Sequence, residues 1–422
     1  MRVVLFEDGW AELEPLSLTR PTFDLIVGAR SLREKQLDAA HALDWGAWVR
    51  PWLADVCRLE YSHRPINDLA WLRSQPVLLI NGRWLPSEPI DVDEPCVALI
   101  GDQIAFAKVT PDCWDGIEES DVEAVLHHLP IRLPNVAASG RMIDRPWDLV
   151  EANAAELERD FHVFRARPAM SPRGLAVLGS VDEVWIDPFA SIEPMVLIDA
   201  RNGPIAIDRN ATVAAFSRIE GPCYIGPGTQ VLGAKLRGGV SLGPQCKIGG
   251  EVEASIVHGY ANKCHDGFLG HSYVGEWTNL GAGTQSSDLR NDYGEVSVVQ
   301  QGRSVSTGMR KVGCFVGGHV KTGLGTLLNT GTTIGAFSQV LPAGRFAPKY
   351  MPPFSCFANG ALREASPIDQ LLQTARIAMS RRGRELTPQL ETLYRAIELH
   401  TAAEKARAIR DSEQRSLRRQ AG

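Results

Sequence analysis

Six residues near the start of the chain carry groups that phosphate chemistry needs. Thr19, Arg20, Gly28, Arg30, Arg33 and Lys35 gather just before and inside what reads as the start of a helix. Nucleotidyl transfer from a triphosphate needs cations to neutralise the phosphates and backbone N–H groups to cradle them, because charge builds up on the phosphoryl oxygens. A helix start offers such N–H groups, and arginine offers a planar fork for a phosphate. Read alone, the run is more simply a solvated basic face. A second set lies further on, at His258, His265, His271 and His319. A neutral imidazole, with an ordinary pKa of about 6.5, can take a proton from an attacking amine, and His265 is the candidate base. Three neutral imidazoles and a water would instead make a catalytic zinc site. A lone histidine is ordinarily a polar corner or loop residue.

The elements that position these groups follow from the spacing of glycine and small aliphatic residues. Much of the glycine, 39 residues in all, falls between Gly203 and Gly344. There an aliphatic residue recurs every sixth position: Ile207, Val213, Ile219, Ile225, Val231, then Leu242 and Ile248. After a register break the series resumes as Phe268, Val274 and Leu280, and again as Val316, Thr322, Leu328, Ile334 and Val340. A period of six is neither helical nor that of a half-buried strand, and it predicts a parallel β-helix whose hexads each form one face of a triangular coil. Glycine often follows the inward residue, as in Ile225-Gly226 and Leu280-Gly281, where tight corners leave little room. A β-sandwich would instead show alternating runs with turns every 8–12 residues.

Residues 1 to about 165 read as a mixed α/β domain. It has a strand at Val3–Leu5, a helix from Ser31 to about His41, a buried strand at Val77–Ile80 and a hairpin in Val97–Val109 turning at Gly101-Asp102. A helix is expected at Asp121–Leu129. Another, with Trp147, Val150, Ala154, Leu157 and Phe161 on one face, is expected to close the domain. A connector, Arg165–Arg173, leads to the solenoid at 174–358. After Pro352-Pro353 two apolar stripes (Ile368, Leu371, Leu372 and Ala375, then Leu390, Leu393, Tyr394 and Ile397) predict helices in 359–422, with a charged, frayed tail from about Glu404.

Net charge −6 over 422 residues gives no global basic field, so nucleic acid and an acidic membrane surface are not expected partners. No apolar run approaches the roughly 20 residues of a bilayer span, and MRVVLFEDGW meets acidic residues too early for a signal peptide. Eight cysteines without a C-x-x-C pair read as reduced thiols of a cytoplasmic protein, with neither disulfides nor structural zinc.

Four stretches carry a family resemblance: PLSLTRPTFDLIVGARSLREK near the start, LLINGRWLP at 78–86, RPWDL at 145–149 and NKCHDGFLGHSYVGEWTNLGAGT at 262–284. The chain resembles sugar nucleotidyltransferases related to the bifunctional bacterial enzyme that acetylates glucosamine-1-phosphate and uridylylates the product. That resemblance implies an α/β nucleotidyltransferase-like N-terminal domain, a left-handed parallel β-helix of hexapeptide repeats and a short C-terminal helical segment. Thr19-Arg20-Pro21 is similar to the proline-flanked arginine of nucleotidyltransferases, which puts Arg20 on the phosphates with Lys35 as a second cation. Asn81, Gly82 and Arg83 stand where that family carries a strand-end Gly-Asp for magnesium, and Asp102, or Asp8, is the metal candidate. FEDGWAELEPL replaces the glycine-rich G-x-G-T-R loop.

In the acetyltransferase half, the resemblance implies His265 as base, Phe268 as the aromatic three residues on and Asn279 fourteen residues beyond the histidine. Asn279 would orient the sugar or its amine, Lys263 would contact a sugar phosphate, and Gly281, Ala282 and Gly283 would leave room for a pantetheine arm. Phe268 replaces a tyrosine, and the insertion after Thr284 is longer than the Asn-Tyr-Asp-Gly loop it resembles. Its Asn291-Asp292-Tyr293-Gly294 could reach a neighbouring subunit, and Arg303, Arg310 and Lys311 could bind phosphate, although a solvated loop is the simpler account. The implied reaction joins a nucleotidyl group from an NTP to a sugar-1-phosphate with Mg2+, releasing pyrophosphate, coupled to acyl transfer from acetyl-CoA in a homotrimer. Two alternatives stand beside it: a non-catalytic sugar-nucleotide-binding protein, and an acyltransferase only. A zinc-dependent reading resembling the carbonic-anhydrase-like β-helices is disfavoured by histidine spacing.

Overall fold

The computed structural model describes residues 1–114, 122–172, 174–342 and 344–420. Asp121, the expected start of one helix, and Arg173, the end of the connector, lie outside the described residues. The chain forms two compact units, one of Met1–Leu13, Thr19–Leu25 and Arg30–Arg145, the other of Glu14–Leu18, Ile26–Ala29 and Pro146–Gly422.

The first unit is built on a six-stranded sheet: β1 (Arg2–Phe6), β2 (Asp44–Trp48), β3 (Val77–Asn81), β4 (Cys96–Ile100), β5 (Gln103–Val109) and β6 (Asn135–Ala137), in the order β2-β1-β3-β5-β4-β6. β1 pairs in parallel with both β2 and β3, and β5 pairs antiparallel with β3 and β4. All five residues of β3 are buried, because a central strand covered on both faces has to be apolar throughout. Helix α1 (Leu32–Ala39) starts with a reciprocal cap, in which the Ser31 hydroxyl accepts from Glu34 N–H and the Glu34 carboxylate accepts from Ser31 N–H. The unit also contains the α-helices α2 (Ala54–Glu60), α3 (Leu69–Arg73) and α4 (Val122–Arg132).

The second unit is a β-solenoid of about ten turns. Its strands stack into parallel ladders, and register shows one inward residue per coil on each face. One row runs Ile186, Ile207, Ile225, Leu242, Val257, Val274, Val316, Ile334 and Met351. Another runs Ile198, Ile219, Leu236, Val252, Leu269, Ser286 and Leu328. The third begins Ile192, Val213, Val231, Ile248 and Lys263. Most of these side chains merge into one continuous core, which no coil could bury by itself.

Three expectations are corrected. The inward residue after the register break is Leu269, which pairs with Val252, whereas Phe268 is only half-buried. Only five positions separate Leu269 from Val274, so counting by six slips one residue. Helix α5 (Pro146–Arg165) belongs by its contacts to the solenoid unit. It lies on the outward row that contains Trp185, Ala206 and Tyr224, with Phe164 5.1 Å from the Trp185 ring and 5.5 Å from that of Tyr224. After α6 (Ile368–Ser380), residues 405–420, expected to be frayed, continue α7 (Pro388–Gln420). Lys405 pairs with Glu364 at 2.7 Å, and Ser412 Oγ accepts from Leu362 N–H, which anchors the charged stretch on the last coil. No helix among the described residues is long and apolar enough to cross a membrane, and all eight cysteines are free.

Candidate functional site

In the first unit the polar residues gather at the carboxyl ends of β2, β1 and β3, the edge where open α/β sheets bind ligands. Glu7, just past β1, accepts from Thr22 N–H and from Arg50 Nε (3.2 Å), and Arg50 Nη2 donates to the Arg20 carbonyl. Arg50 also lies over the Trp10 ring, its guanidinium carbon 4.1 Å from the centroid. Arg83, just past β3, donates Nε to Asp8 Oδ1 (2.8 Å), Nη1 to Asp144 Oδ1 (2.7 Å) and Nη2 to Gln103 Oε1 (3.0 Å). Burial works against its charge, but the two carboxylates outweigh it and raise its pKa. Asn81 is fully buried; its side chain donates to Ile104 O and accepts from Arg83 N–H, while Gly82 N–H donates to Phe6 O.

The expected phosphate cluster is only partly assembled. Thr19 and Arg20 are half-buried, the Arg20 carbonyl bonded to Arg50, whereas Arg33 is bound to Asp24 at 2.9 Å and lies over Tyr61, and Arg30 pairs with Asp38 at 3.2 Å. Lys35 is buried in α1. Gly28 is corrected: it belongs to the second unit, where its N–H donates to Asn153 Oδ1 of α5 at 2.7 Å, and a Cβ there would lie 2.5 Å from Asp160. It serves packing, not a phosphate loop. Asp102 is exposed at the β4–β5 turn, and among the described residues no group of three or more His, Cys, Asp or Glu side chains could hold a metal. With Asp8 and Asp144 both gripping Arg83, these residues do not fit a preformed Mg2+ site.

The solenoid site is better assembled. His265 is exposed at a corner, and its ring has no hydrogen-bond partner among the described residues. One coil further on, Gly283 N–H donates to Asp266 O, Leu280 N–H donates to Asn262 O, and Asn262 Nδ2 donates to Asn279 Oδ1 at 2.6 Å. His265 and Asn279 thus lie on adjoining coils near one edge. Phe268 is half-buried on the neighbouring face, its N–H bonded to Gln285 Oε1. Gly281 fills no ligand space, since a Cβ there would meet Thr322 O at 2.6 Å, and its N–H is taken by Thr322 Oγ1. Gly283, at φ +73°, adopts a left-handed turn open enough that a Cβ would meet nothing nearer than 3.6 Å.

Lys263 requires the largest correction. It occupies an inward row position, is buried, and its ammonium donates to Gly249 O (2.8 Å) and Gly267 O (2.7 Å), with His265 O at 3.3 Å. It therefore braces the corner that presents His265 and does not face a sugar phosphate. Burial pushes its pKa down to about 8, against the pull of Asp266 and Cys264.

The four histidines do not converge. His258 Nδ1 bonds Tyr273 OH at 2.9 Å, His271 Nδ1 bonds Asp288 at 2.7 Å, and His319 Nε2 bonds Tyr394 OH at 3.1 Å. The insertion after Thr284 forms a hairpin, Ser297–Gln300 with Arg303–Ser306. Sequence reasoning missed Glu7, Arg50 and Trp10. Their only signal was position just beyond the strand ends, which needs the sheet order to be seen.

Residues 3–168 match the family model described as Sugar nucleotidyl transferase. A bifunctional sugar-1-phosphate nucleotidylyltransferase/acetyltransferase of Sulfurisphaera tokodaii is 40% identical over 98 residues, 23% of this chain and 24% of that protein. The bifunctional protein GlmU of Jannaschia sp. is 37% identical over 99 residues, 22% of this chain and 21% of its own. GlmU of Synechococcus elongatus is 28% identical over 170 residues, 40% and 31% respectively. The solved structure of the polySia-specific acetyltransferase NeuO aligns over 46% of this chain and 98% of its own at 10% identity and a TM-score of 0.25. The chain spans about a quarter of the length of the first two relatives. Residues 3–168 are thus similar to sugar nucleotidyl transferases, and stretches of about a hundred residues are similar to bifunctional nucleotidylyltransferase/acetyltransferases.

Proposed function

We propose that the chain is a sugar-1-phosphate nucleotidyltransferase with a linked acyl-CoA-dependent sugar N-acetyltransferase activity. The observation that carries the first activity is that Arg50 and Arg83 lie just beyond the carboxyl ends of parallel strands, with the Arg20 carbonyl held by Arg50, within the segment similar to sugar nucleotidyl transferases. A sugar-1-phosphate oxygen attacks the α-phosphorus of the NTP and the bond to pyrophosphate breaks; Arg20 neutralises charge on the phosphates, with Thr19 beside it. In the solenoid, the sugar amine attacks the thioester carbonyl, His265 takes the amine proton, Asn279 orients the amine, and the CoA thiol leaves. The open turn at Gly283 supports a pantetheine approach beside Ala282.

The experiment is pyrophosphate release by the full chain across NTPs and sugar-1-phosphates, with and without Mg2+, alongside Arg20→Ala. Release with one sugar, lost in the variant, is expected. A second reading is favoured by the grip of Asp8 and Asp144 on Arg83: the first unit binds sugar nucleotide without turning it over, and only acyl transfer proceeds. Binding of a sugar nucleotide with no pyrophosphate release under any condition would select it.

A homotrimer completes the reading. Met195, Phe216 and Leu232, one to three residues after Ile192, Val213 and Val231 of the third row, are exposed apolar side chains, as are Leu324 and Leu341 further along the solenoid, and a neighbouring copy would cover them.

A further inference from the structure

A groove of about 1160 Å3 lies in the second unit, lined by the inserted hairpin, segment 345–350, the last strands of the solenoid and α7. None of the residues assigned to acyl transfer lines it. Four cations do: Arg303, Arg345, Lys349 and Arg407. Among the described residues, none of the three guanidinium groups has a hydrogen-bond or ion-pair partner. Two carboxylates also line the groove, Glu404, which accepts from Tyr350 OH, and Asp411. In a chain of net charge −6, four cations against two carboxylates make a local excess of positive charge, as expected of an anion site. The Phe346 ring, 59% exposed beside Arg345, is a flat apolar surface of the size of a base. Both the volume and this mixed lining suit a nucleotide-sized ligand.

We propose that this groove binds a phosphorylated nucleotide, with its phosphates on Arg303, Arg345, Arg407 and Lys349 and its base against Phe346. The inference does not rest on either transfer reaction. The shared chemistry could come from a free NTP or from the nucleotide end of a coenzyme such as CoA.

The test is calorimetric titration of the full chain with UTP, with CoA and with inorganic tripolyphosphate, all in an Arg20→Ala background that weakens the other phosphate site. Arg345→Ala and Arg407→Ala, both exposed and checked for an unchanged thermal midpoint, should each weaken the bound nucleotide about tenfold or more. Asp411→Asn should tighten it, and Phe346→Ala should weaken the nucleotide but leave tripolyphosphate unchanged. Preference for UTP or for CoA names the source, and either supports the proposal. Failure of all three probes to bind, or equal affinity in the Arg345→Ala/Arg407→Ala double variant, would overturn it. Tripolyphosphate binding as tightly as both nucleotides would overturn the role of Phe346.

Discussion

The imidazole of His265 is exposed and unbonded, so its removal should cost function and not fold. His265→Ala is expected to abolish release of CoA thiol from acetyl-CoA in the presence of an amino sugar phosphate while the melting temperature stays unchanged; full turnover would take His265 out of the mechanism. Lys263 is the reverse case. Lys263→Met fits the inward row by size but leaves carbonyls without their donor, and should destabilise the solenoid by about 1–3 kcal/mol in urea unfolding. The pH dependence has a defined sign. With the folded pKa at about 8 and the unfolded value at the ordinary lysine 10.5, the unfolded chain binds more protons between those values, so stability rises with pH across that window. The wild type should therefore gain stability relative to Lys263→Met from pH 8 to 10, and a constant difference would contradict a buried lysine with a lowered pKa. Burial also pushes Lys321 down to about 8, so the comparison needs the variant and not the wild type alone. The sequence named Lys263 as a candidate but could not orient it, since lysine is ordinarily an outward residue and only ladder register reveals that it stands in line with Ile248.

At the scale of elements, one corner of the solenoid carries a stack of rings. Tyr260 and Trp277 lie 4.3 Å apart, His319 and Phe337 4.5 Å, and Phe337 and Phe354 5.1 Å, and all five residues have positive φ. Tyr394 of α7 meets His319 and Phe337 edge-on, and Arg384 donates to Tyr260 OH. Helix α7 and the segment before it thus pack on an aromatic ladder. Tyr394→Ala should cost about 3–5 kcal/mol and expose α7 to limited proteolysis, while Tyr394→Phe should cost only about 1 kcal/mol through loss of the bond to His319. Much of this architecture was legible, because a period of six repeated over many coils has few physical solutions, and the strands at Val77 and the hairpin at Gly101 carry ordinary signals. The aromatic corner was not legible, since an inserted hairpin separates Trp277 from His319 and one member is a histidine. The helical continuation beyond Glu404 was hidden for a related reason: its charges read as solvated until Glu364 and Tyr350 appear as partners of Lys405 and Glu404, with Ser412 beside them accepting from Leu362 N–H.

For the whole molecule, exposed apolar side chains such as Phe216 and Leu324 on the solenoid predict self-association. Light scattering at micromolar concentration should give three times the chain mass, and Phe216→Asp should lower it toward one; a monomeric wild type would remove shared acyl sites from the account. The candidate sites were less legible than the fold because they depend on which strand ends and which coils become neighbours. Arg50 and Trp10 meet only through the parallel pairing of β1 with β2, and Asp8 meets Arg83 only through that of β1 with β3. The most direct test of the central claim is mass spectrometry of the products formed by the full chain from an amino sugar-1-phosphate, an NTP and acetyl-CoA together. A product carrying both the nucleotidyl and the acetyl group is predicted, with the acetyl missing in His265→Ala and the nucleotidyl missing in Arg20→Ala. Recovery of the sugar phosphate with neither group attached, from folded protein across the substrate grid, would contradict the account.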